Sequence, residues 1–214
     1  MEVVALVDYG SGNLRSAAKA LERAGLEDGC ERTIEVVADP AQIRRADRLV
    51  LPGVGAFGAC MQGLSAIPGM IDSLGEAVLG HRVPFLGICV GMQLLATVGR
   101  EFGTHAGLDW IAGEVRPLAP EDPSLKVPHM GWNDITIEGS HPLFAGIDSG
   151  AYVYFVHSYV MQPRDPNCVL AVADFGGPFA AAIGRDNIVG VQFHPEKSQA
   201  VGLALLANFL KWRP

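Results

Sequence analysis

Apolar runs that alternate with helix-forming segments are the feature that most restricts the fold of this chain. The run EVVALVD (residues 2–8) is almost continuously apolar, and the segment after it places Leu14, Ala17, Ala18 and Leu21 on one helical face. Similar runs recur as RLVLPG, VPFLGIC, YVYFVHSYV, VLAVADF and IVGVQFHP, and the helical pattern SQAVGLALLANFLKW comes last. A strand that is apolar on both faces must be covered on both faces, so we predict an α/β fold with a mostly parallel central sheet.

The length and composition favour a single domain over residues 1–214. A chain with 49% hydrophobic and 18% charged residues is typical of a compact globule with a well-buried core. Residues 117–150 are richer in Pro, Gly and charge, which predicts turns and short antiparallel strands. The expected architecture is therefore flavodoxin-like, with helices on both faces of the sheet and a small antiparallel extension.

Charge and cysteine content exclude several classes of protein. The formal net charge of -7 gives no general attraction to nucleic acid, and Glu2 and Asp8 make the first residues unlike a signal peptide or a membrane span. The cysteines are widely scattered and form no C-x-x-C pair, so we expect no metal site and mostly buried thiols. A cytoplasmic protein without a nucleic-acid or membrane partner is the prediction. The cysteines are Cys30, Cys60, Cys89 and Cys168.

The motif LPGVGAFG (residues 51–58) has the glycine spacing of a dinucleotide-binding loop. Such a loop should open a helix that leads to a second strand ending in an acidic residue. The following sequence, ACMQGLSAIPGMIDSLGEA, is instead broken at Pro68, and Asp72 lies in a helical context. We therefore predict that the chain binds no nicotinamide cofactor.

The most informative segment for chemistry is VPFLGICVGMQLL (residues 83–95). An apolar strand runs into Gly87-Ile88-Cys89-Val90-Gly91, which is the nucleophile-elbow pattern G-x-S-x-G with Cys in place of Ser. Residues two positions from the nucleophile are crowded in such a turn, so they must lack a Cβ atom. The turn also places the sulfur near a helix N-terminus, which favours the thiolate. A buried cysteine in a turn is the alternative that this segment alone leaves open.

A thiolate nucleophile needs a base and a group that orients the base, and VQFHPEKS (residues 191–198) offers both. His194 and Glu196 are two positions apart, so in an extended segment their side chains point the same way. A structural role is the common alternative for a lone histidine on a strand. Both motifs follow predicted strands, where open α/β sheets place their sites, so we predict a triad of Cys89, His194 and Glu196.

Together these motifs give the sequence a resemblance to a known family. GICVGMQLL with QFHPEKS resembles the triad-type glutamine amidotransferases, which hydrolyse glutamine and pass the ammonia to a second active site. Within that family, DYGSGNLRS, LPGVGAFG, VPHMGWN, YFVHSY and FHPEKS are similar to the glutaminase subunits of imidazole glycerol phosphate synthases, enzymes of histidine biosynthesis. The resemblance runs from Asp8 to Ser198 in the expected order. Its departures are Val90, where Leu is more usual, and a longer polar loop near Glu27.

The resemblance implies further roles around the nucleophile. It places Gly53 and Val54 beside Cys89, where this segment contributes one backbone N–H to an oxyanion hole and Val90 contributes the second. Glycines suit a segment whose peptide must approach the substrate or flip, and we expect that flip to wait for the partner subunit. The resemblance assigns the binding of glutamine to Gly53, Gln93, His157, Ser158 and Tyr159, with mainly main-chain contacts from His157 and Ser158.

The resemblance also implies a partner. This is a cyclase subunit that accepts the ammonia in a heterodimer and makes imidazole glycerol phosphate and aminoimidazole carboxamide ribonucleotide. Trp132, Tyr154 and Lys197 are assigned to the face that meets it, along the ammonia passage or across the interface. Core packing for the two aromatic residues and a solvated charge for the lysine are the alternatives. No cofactor or metal is expected.

Two other functions stay open from the sequence. One is the glutaminase subunit of a different synthase, serving anthranilate, aminodeoxychorismate or pyridoxal phosphate synthesis. VPHMGWN with YFVHSY argues against this reading. The other is a non-catalytic or protease-like protein with the same elbow cysteine, and the intact His194-Pro195-Glu196 argues against it.

Overall fold

A large mixed sheet forms the centre of the protein. The computed structural model describes residues 2–26 and 32–214, so Cys30 and residues 27–31 of the predicted polar loop EDGCERTIE lie outside the described residues. The rest of that segment, residues 32–35, was wrongly predicted as loop and belongs to a strand of the sheet. Within these ranges nine strands form one sheet, in the order β2-β1-β3-β4-β13-β12-β11-β8-β9. The first five in this order run parallel, and the other four each run antiparallel to the preceding neighbour. The predicted α/β fold with a parallel core is confirmed, and its antiparallel part is larger than expected.

The strands of the main sheet come from many parts of the chain, between residues 2 and 191. A second sheet of four strands, in the order β10-β7-β5-β6, lies outside it in the described residues. The strands are β1 (Glu2–Val7), β2 (Arg32–Val37), β3 (Arg48–Gly53), β4 (Phe85–Cys89), β5 (Val98–Gly99), β6 (His105–Ala106), β7 (Gly113–Pro117), β8 (His129–Ile137), β9 (Ala151–His157), β10 (Tyr159–Pro163), β11 (Val169–Asp174), β12 (Pro178–Arg185) and β13 (Ile188–Val191).

The helices cover the sheet in two groups. Helix α1 packs against α6, while α4 packs against both α2 and α3 and continues into a π-helical turn at Glu76–Gly80. None of the helices in residues 2–26 and 32–214 combines the length and the hydropathy that a membrane span requires. The helices are α1 (Leu14–Gly25), α2 (Pro40–Ile43), α3 (Phe57–Ala66), α4 (Met70–Gly75), α5 (Val90–Gln93) and α6 (Gln199–Lys211).

The predicted apolar faces lie where the sequence pattern places them. Every residue of β3 and β4 is buried, as expected for strands covered on both faces. In α1 the stripe of Ala17 and Leu21 is buried, and Leu14 and Ala18 pack against the same core at their edges. The parallel half of the sheet is thus held by burial on both sides.

The structure differs from the sequence prediction in the antiparallel half. The run YVYFVHSYV was predicted as one strand, but the chain bends at Ser158, so that β9 joins the main sheet and β10 the second one. The region 117–150 contains the long strand β8 rather than several short ones. Strand β12 was not predicted at all, because its sequence PFAAAIGR has little of the β-branched or aromatic composition that marks a strand.

Candidate active site

Cys89 stands at a strained turn between a strand and a helix. It is the last residue of β4, with φ 55° and ψ -113°, and α5 begins at the next residue. A Cβ atom on Gly87 would lie 2.5 Å from the carbonyl oxygen of Gly91, and a Cβ on Gly91 would overlap the carbonyl oxygen of Leu51. The turn therefore requires both glycines, as the elbow pattern predicts. Helix α5 has only four residues, so its dipole is much weaker than that of a long helix.

The elbow lies between two further strand ends of the parallel sheet. Strand β3 pairs with β4 so that Gly53 is the register partner of Cys89, and β13 pairs with its other side. His194 follows the end of β13 by three residues, at the same edge of the sheet. The carboxyl ends of neighbouring parallel strands meet there, and for this reason three distant segments converge.

His194 and Glu196 form a buried pair. The Nδ1 atom of His194 lies 2.8 Å from Oε1 of Glu196, and both side chains are at most 4% exposed. The extended geometry that we expected is wrong, because Pro195–Lys197 is a 3-10 turn. That turn is held by Ser198, whose hydroxyl donates to the carbonyl of His194 over 2.7 Å and accepts the N–H of Tyr154.

The electrostatics of His194 favour its charged form. Burial lowers the pKa of His194, but the interactions of its ring with Cys89 and with Glu196 outweigh burial and raise the pKa to about 9. Its Nε2 atom is buried and forms no hydrogen bond within the described part of the chain, and the same holds for Oε2 of Glu196. The pair therefore offers an oriented imidazolium with one nitrogen free for chemistry beside a thiol.

One cavity of about 340 Å³ collects most of the predicted site residues. Glu196 does not line it but contacts His194 from behind, and Gly53 lies with both beside a second cavity of about 10 Å³. Trp132 and Tyr154 line neither of these two cavities. The predicted residues that do are Cys89, His194, Val54, Val90, Gln93, His157, Ser158, Tyr159 and Lys197.

The predicted oxyanion segment is held by side chains from the loop after β1 and from α3. The N–H of Val54 donates to Oγ of Ser11 over 3.2 Å, and that hydroxyl donates to the carbonyl of Val54 over 2.6 Å. The Tyr9 hydroxyl donates to the carbonyl of Pro52 over 2.8 Å, and the Cys60 thiol lies 3.4 Å from the carbonyl of Val54. The N–H of Val54 is thus engaged with a side chain.

A chain of hydrogen bonds leads from the nucleophile to the Ser158 bend. Nε2 of Gln192 lies 3.7 Å from Sγ of Cys89, and its Oε1 accepts from Nε2 of Gln93 over 3.0 Å. The same Gln93 nitrogen donates to the carbonyl of Tyr159 over 3.0 Å. Sequence reasoning did not select Gln192, although it stands two residues before His194 in the same motif.

A buried histidine pair supports the same bend. Nδ1 of His129 lies 3.0 Å from Nε2 of His157, whose Nδ1 contacts the carbonyl of Tyr159. Burial lowers the pKa of both histidines to about 4, so both are neutral at physiological pH. Since both ring nitrogens of His157 are occupied, its ring supports the bend and only its main chain remains for a ligand.

Glu101 is a second site residue that sequence reasoning missed. It lines the large cavity, and its Oε2 accepts the N–H of Phe57 over 2.7 Å at the start of α3. This bond fixes a carboxylate at the wall of the cavity, where it can bind an ammonium group. No sequence signal marked it, because GREFGTH belongs to none of the motifs.

The three residues predicted to meet a partner form one surface patch. Trp132 is 45% exposed, which excludes the core-packing alternative for it, and its ring meets that of Tyr154 at 6.0 Å in a T-shaped contact. Nζ of Lys197 lies 5.6 Å from the centre of the Tyr154 ring. Because Lys197 also lines the large cavity, this patch adjoins the site.

Two observations on the described residues bear on the predictions about metal ions and nicotinamide cofactors. Residues 2–26 and 32–214 contain no group of three or more His, Cys, Asp or Glu side chains placed to hold a metal ion. The glycine motif of residues 51–58 leads through α3 and α4 to β4, which ends at Cys89 rather than at the acid that a dinucleotide site needs.

The chain is similar in sequence to known proteins over nearly its whole length. The family described as glutamine amidotransferase class-I matches residues 5–212. The chain is 59% identical over 212 residues to the imidazole glycerol phosphate synthase subunit HisH of Rhodospirillum rubrum, covering 99% of each chain. It is 58% identical over 214 residues to the subunit of the same name from Caulobacter vibrioides, covering 100% of each.

Solved structures share the fold at lower identity. A putative GMP synthase subunit from Thermoplasma acidophilum has a TM-score of 0.66 at 23% identity, with 99% of this chain and 93% of that chain covered. A further structure described as a glutamine amidotransferase has a TM-score of 0.71 at 19% identity, with 97% of each covered. These similarities show that the fold is shared.

Proposed function

The chain belongs to the class-I glutamine amidotransferases, and we propose that it releases ammonia from glutamine with Cys89, His194 and Glu196. Relatives 53 to 59% identical over nearly their full length make this the activity of the amidotransferase subunit of imidazole glycerol phosphate synthase, in histidine biosynthesis. The observation that carries the triad is the buried His194–Glu196 pair, whose histidine lines the same cavity as the elbow cysteine.

The reaction proceeds in two halves through a thioester. The Cys89 thiolate attacks the carboxamide carbon of glutamine, and the protonated His194 gives its proton to the departing ammonia as the C–N bond breaks. The neutral His194 then takes a proton from water, which attacks the thioester and releases glutamate and the thiolate. Glu196 accepts the Nδ1 hydrogen bond throughout, so Nε2 stays directed at the reacting atoms.

The oxyanion hole needs two N–H donors, and one of them, the N–H of Val54, is not free. Val90 is the first residue of α5, where backbone N–H groups have no partner within the helix. The N–H of Val54 is bound to Ser11 instead. A peptide flip between Gly53 and Gly55 would release it, and one missing donor slows such reactions by roughly a hundredfold or more. We therefore expect the isolated subunit to be a poor glutaminase.

The cavity suits an amino-acid substrate. Its volume of about 340 Å³ is that of a small-molecule site. Glu101 is placed to bind the α-ammonium group of glutamine, and the main chain around Ser158 and Tyr159 to bind its polar ends. Gln93 uses its amide N–H groups internally, so it offers the substrate its carbonyl oxygen.

The partner is the cyclase subunit, in a heterodimer. The patch of Trp132, Tyr154 and Lys197 supports this, because it is exposed and aromatic and adjoins the cavity where ammonia is released. Docking there would favour the flipped peptide by population shift. We place the enzyme in the cytoplasm, which agrees with the free thiols of Cys60, Cys89 and Cys168.

The test is the variant Cys89→Ala in the presence of the cyclase subunit. We expect glutamine-dependent product formation to be abolished while added ammonium salt still supports the cyclase reaction, since the thiolate acts only on glutamine. The ammonium reaction serves as the control for folding and docking. Glutamine-dependent turnover near that of the wild type would refute the triad.

A further inference from the structure

We propose that Gln192 is a further catalytic residue, which donates a side-chain N–H to the Cys89 thiolate, and that Gln93 orients it for this task. The inference rests on the proposed role of Cys89 as the nucleophile. Gln192 is fully buried, and its Nε2 atom lies 3.7 Å from Sγ, within the range of an N–H···S hydrogen bond. It therefore touches the reacting atom directly.

The orientation of both amides follows from one backbone carbonyl. The carbonyl of Tyr159 can only accept a hydrogen bond, so the Gln93 atom that faces it must be the nitrogen. The same nitrogen meets Gln192, so the Gln192 atom at that contact must be the oxygen. The remaining end of the Gln192 amide is then its NH₂ group, and that end faces Sγ. A donor is thus fixed against the sulfur.

A thiolate at this position needs such a donor. Cys89 is only 4% exposed, so water solvates its charge poorly. Helix α5 has four residues and supplies little of the dipole expected from the sequence. His194 supplies a cation while the sulfur is a thiolate, but its proton is exchanged in each half of the reaction. The Gln192 amide stays a donor at every stage, because it does not titrate.

The expected effect has a characteristic dependence on pH. A hydrogen bond to a charged group changes the thiolate fraction by roughly tenfold or more. The more stable thiolate is also less nucleophilic, by about threefold for each tenfold gain. Removing the donor should therefore slow Cys89 by about threefold or more where most of the thiol is protonated. At a pH where the whole thiol is ionised, removing the donor should not slow the reaction of Cys89.

Alkylation of Cys89 by iodoacetamide measures this without glutamine or a partner. Rates are followed by peptide mapping across about pH 6 to pH 10, the range in which cysteine thiols ionise. The variants are Gln192→Leu and Gln192→Glu, and the second keeps an acceptor for Gln93 while replacing the donor at sulfur. Gln93→Leu should give a smaller loss, since Gln192 is then free to rotate. Gln162→Leu, at an exposed glutamine of β10, is the matched control.

We expect both Gln192 variants to be slower than the wild type near neutral pH and to reach or exceed it at the alkaline end. An unchanged profile, or a loss of equal size at every pH, overturns the proposal, because a purely structural role alters access to the thiol at all pH values alike. Thermal unfolding of each variant monitors the fold. Glutamine-dependent turnover near the wild-type rate in Cys89→Ala would reject the proposed function. The alkylation rates would still show whether Gln192 donates to the thiolate.

Discussion

The hydroxyl of Ser11 offers a direct test of whether the oxyanion hole is incomplete until the partner binds. It accepts the N–H of Val54 over 3.2 Å and donates to the carbonyl of the same residue over 2.6 Å. The first bond favours the orientation of the Gly53–Val54 peptide in which this N–H cannot serve an oxyanion, and the second, to the carbonyl of the next peptide, holds the hydroxyl in place. Ser11→Ala removes both and leaves the triad untouched, so it should raise the glutaminase rate of the isolated subunit.

The size of the rise follows from the bond that the flip must break, which is the one from the Val54 N–H. A neutral hydrogen bond contributes about 0.5–1.5 kcal/mol net. At about 1.4 kcal/mol for each factor of ten, the flipped population grows by roughly 2-fold to 12-fold. Water can replace the hydroxyl in part, which favours the lower end of that range. The upper bound is the value of one oxyanion donor, roughly 100-fold to 1,000-fold in rate.

Glutamate production by the isolated subunit measures the effect, with and without the cyclase. We expect the basal rate to rise by about 2-fold to tenfold and the partner-stimulated rate to change little, so that the stimulation factor shrinks. Ser11→Thr keeps a hydroxyl and is the matched control. A basal rate that stays the same or falls would show that Ser11 does not hold the peptide in an inactive orientation.

Two further predictions concern the partner face and the buried histidines. Lys197→Ala should reduce the stimulation by the cyclase while costing the fold at most about 1 kcal/mol, since the lysine is exposed and its contact with Tyr154 is a cation–π interaction. Parallel activity and thermal unfolding measurements separate the two effects, and equal losses in both would contradict it. The pKa values of His129 and His157 are lowered to about 4 from 6.5, so their neutral forms stabilise the fold fully above about pH 6.5. That contribution, on the order of 3 kcal/mol for each histidine, is lost as the pH falls toward 4, and urea unfolding of His129→Phe should show a flatter dependence on pH.

The parallel core and the nucleophile elbow could be predicted from the sequence because their constraints are local. A strand buried on both faces must be apolar at every position, as β3 and β4 are. An elbow must have small residues two positions from its nucleophile, as Gly87 and Gly91 are. The alanine-rich β12 and the bend at Ser158 have no such local requirement, and neither was predicted.

The pairing of His194 with Glu196 shows how a prediction can succeed through a different geometry. Two residues at i and i+2 share a face in an extended segment, but here a 3-10 turn brings them together. The short spacing alone ensured that they could meet. The turn itself depends on Ser198, the last residue of the motif, and on the N–H of Tyr154 in β9, which the motif does not contain.

The α/β class, the elbow cysteine and the proposed triad residues could all be predicted from the amino-acid sequence, since each leaves a mark within a few positions of the chain. Only the folded protein shows which distant side chains converge at the carboxyl edge of β3, β4 and β13. Ser11 at Val54, Gln192 at Cys89 and Glu101 at the cavity wall belong to this group. Their roles come from contacts between segments far apart in sequence, and hydrogen bonds of that kind impose no periodicity or spacing that a sequence can display.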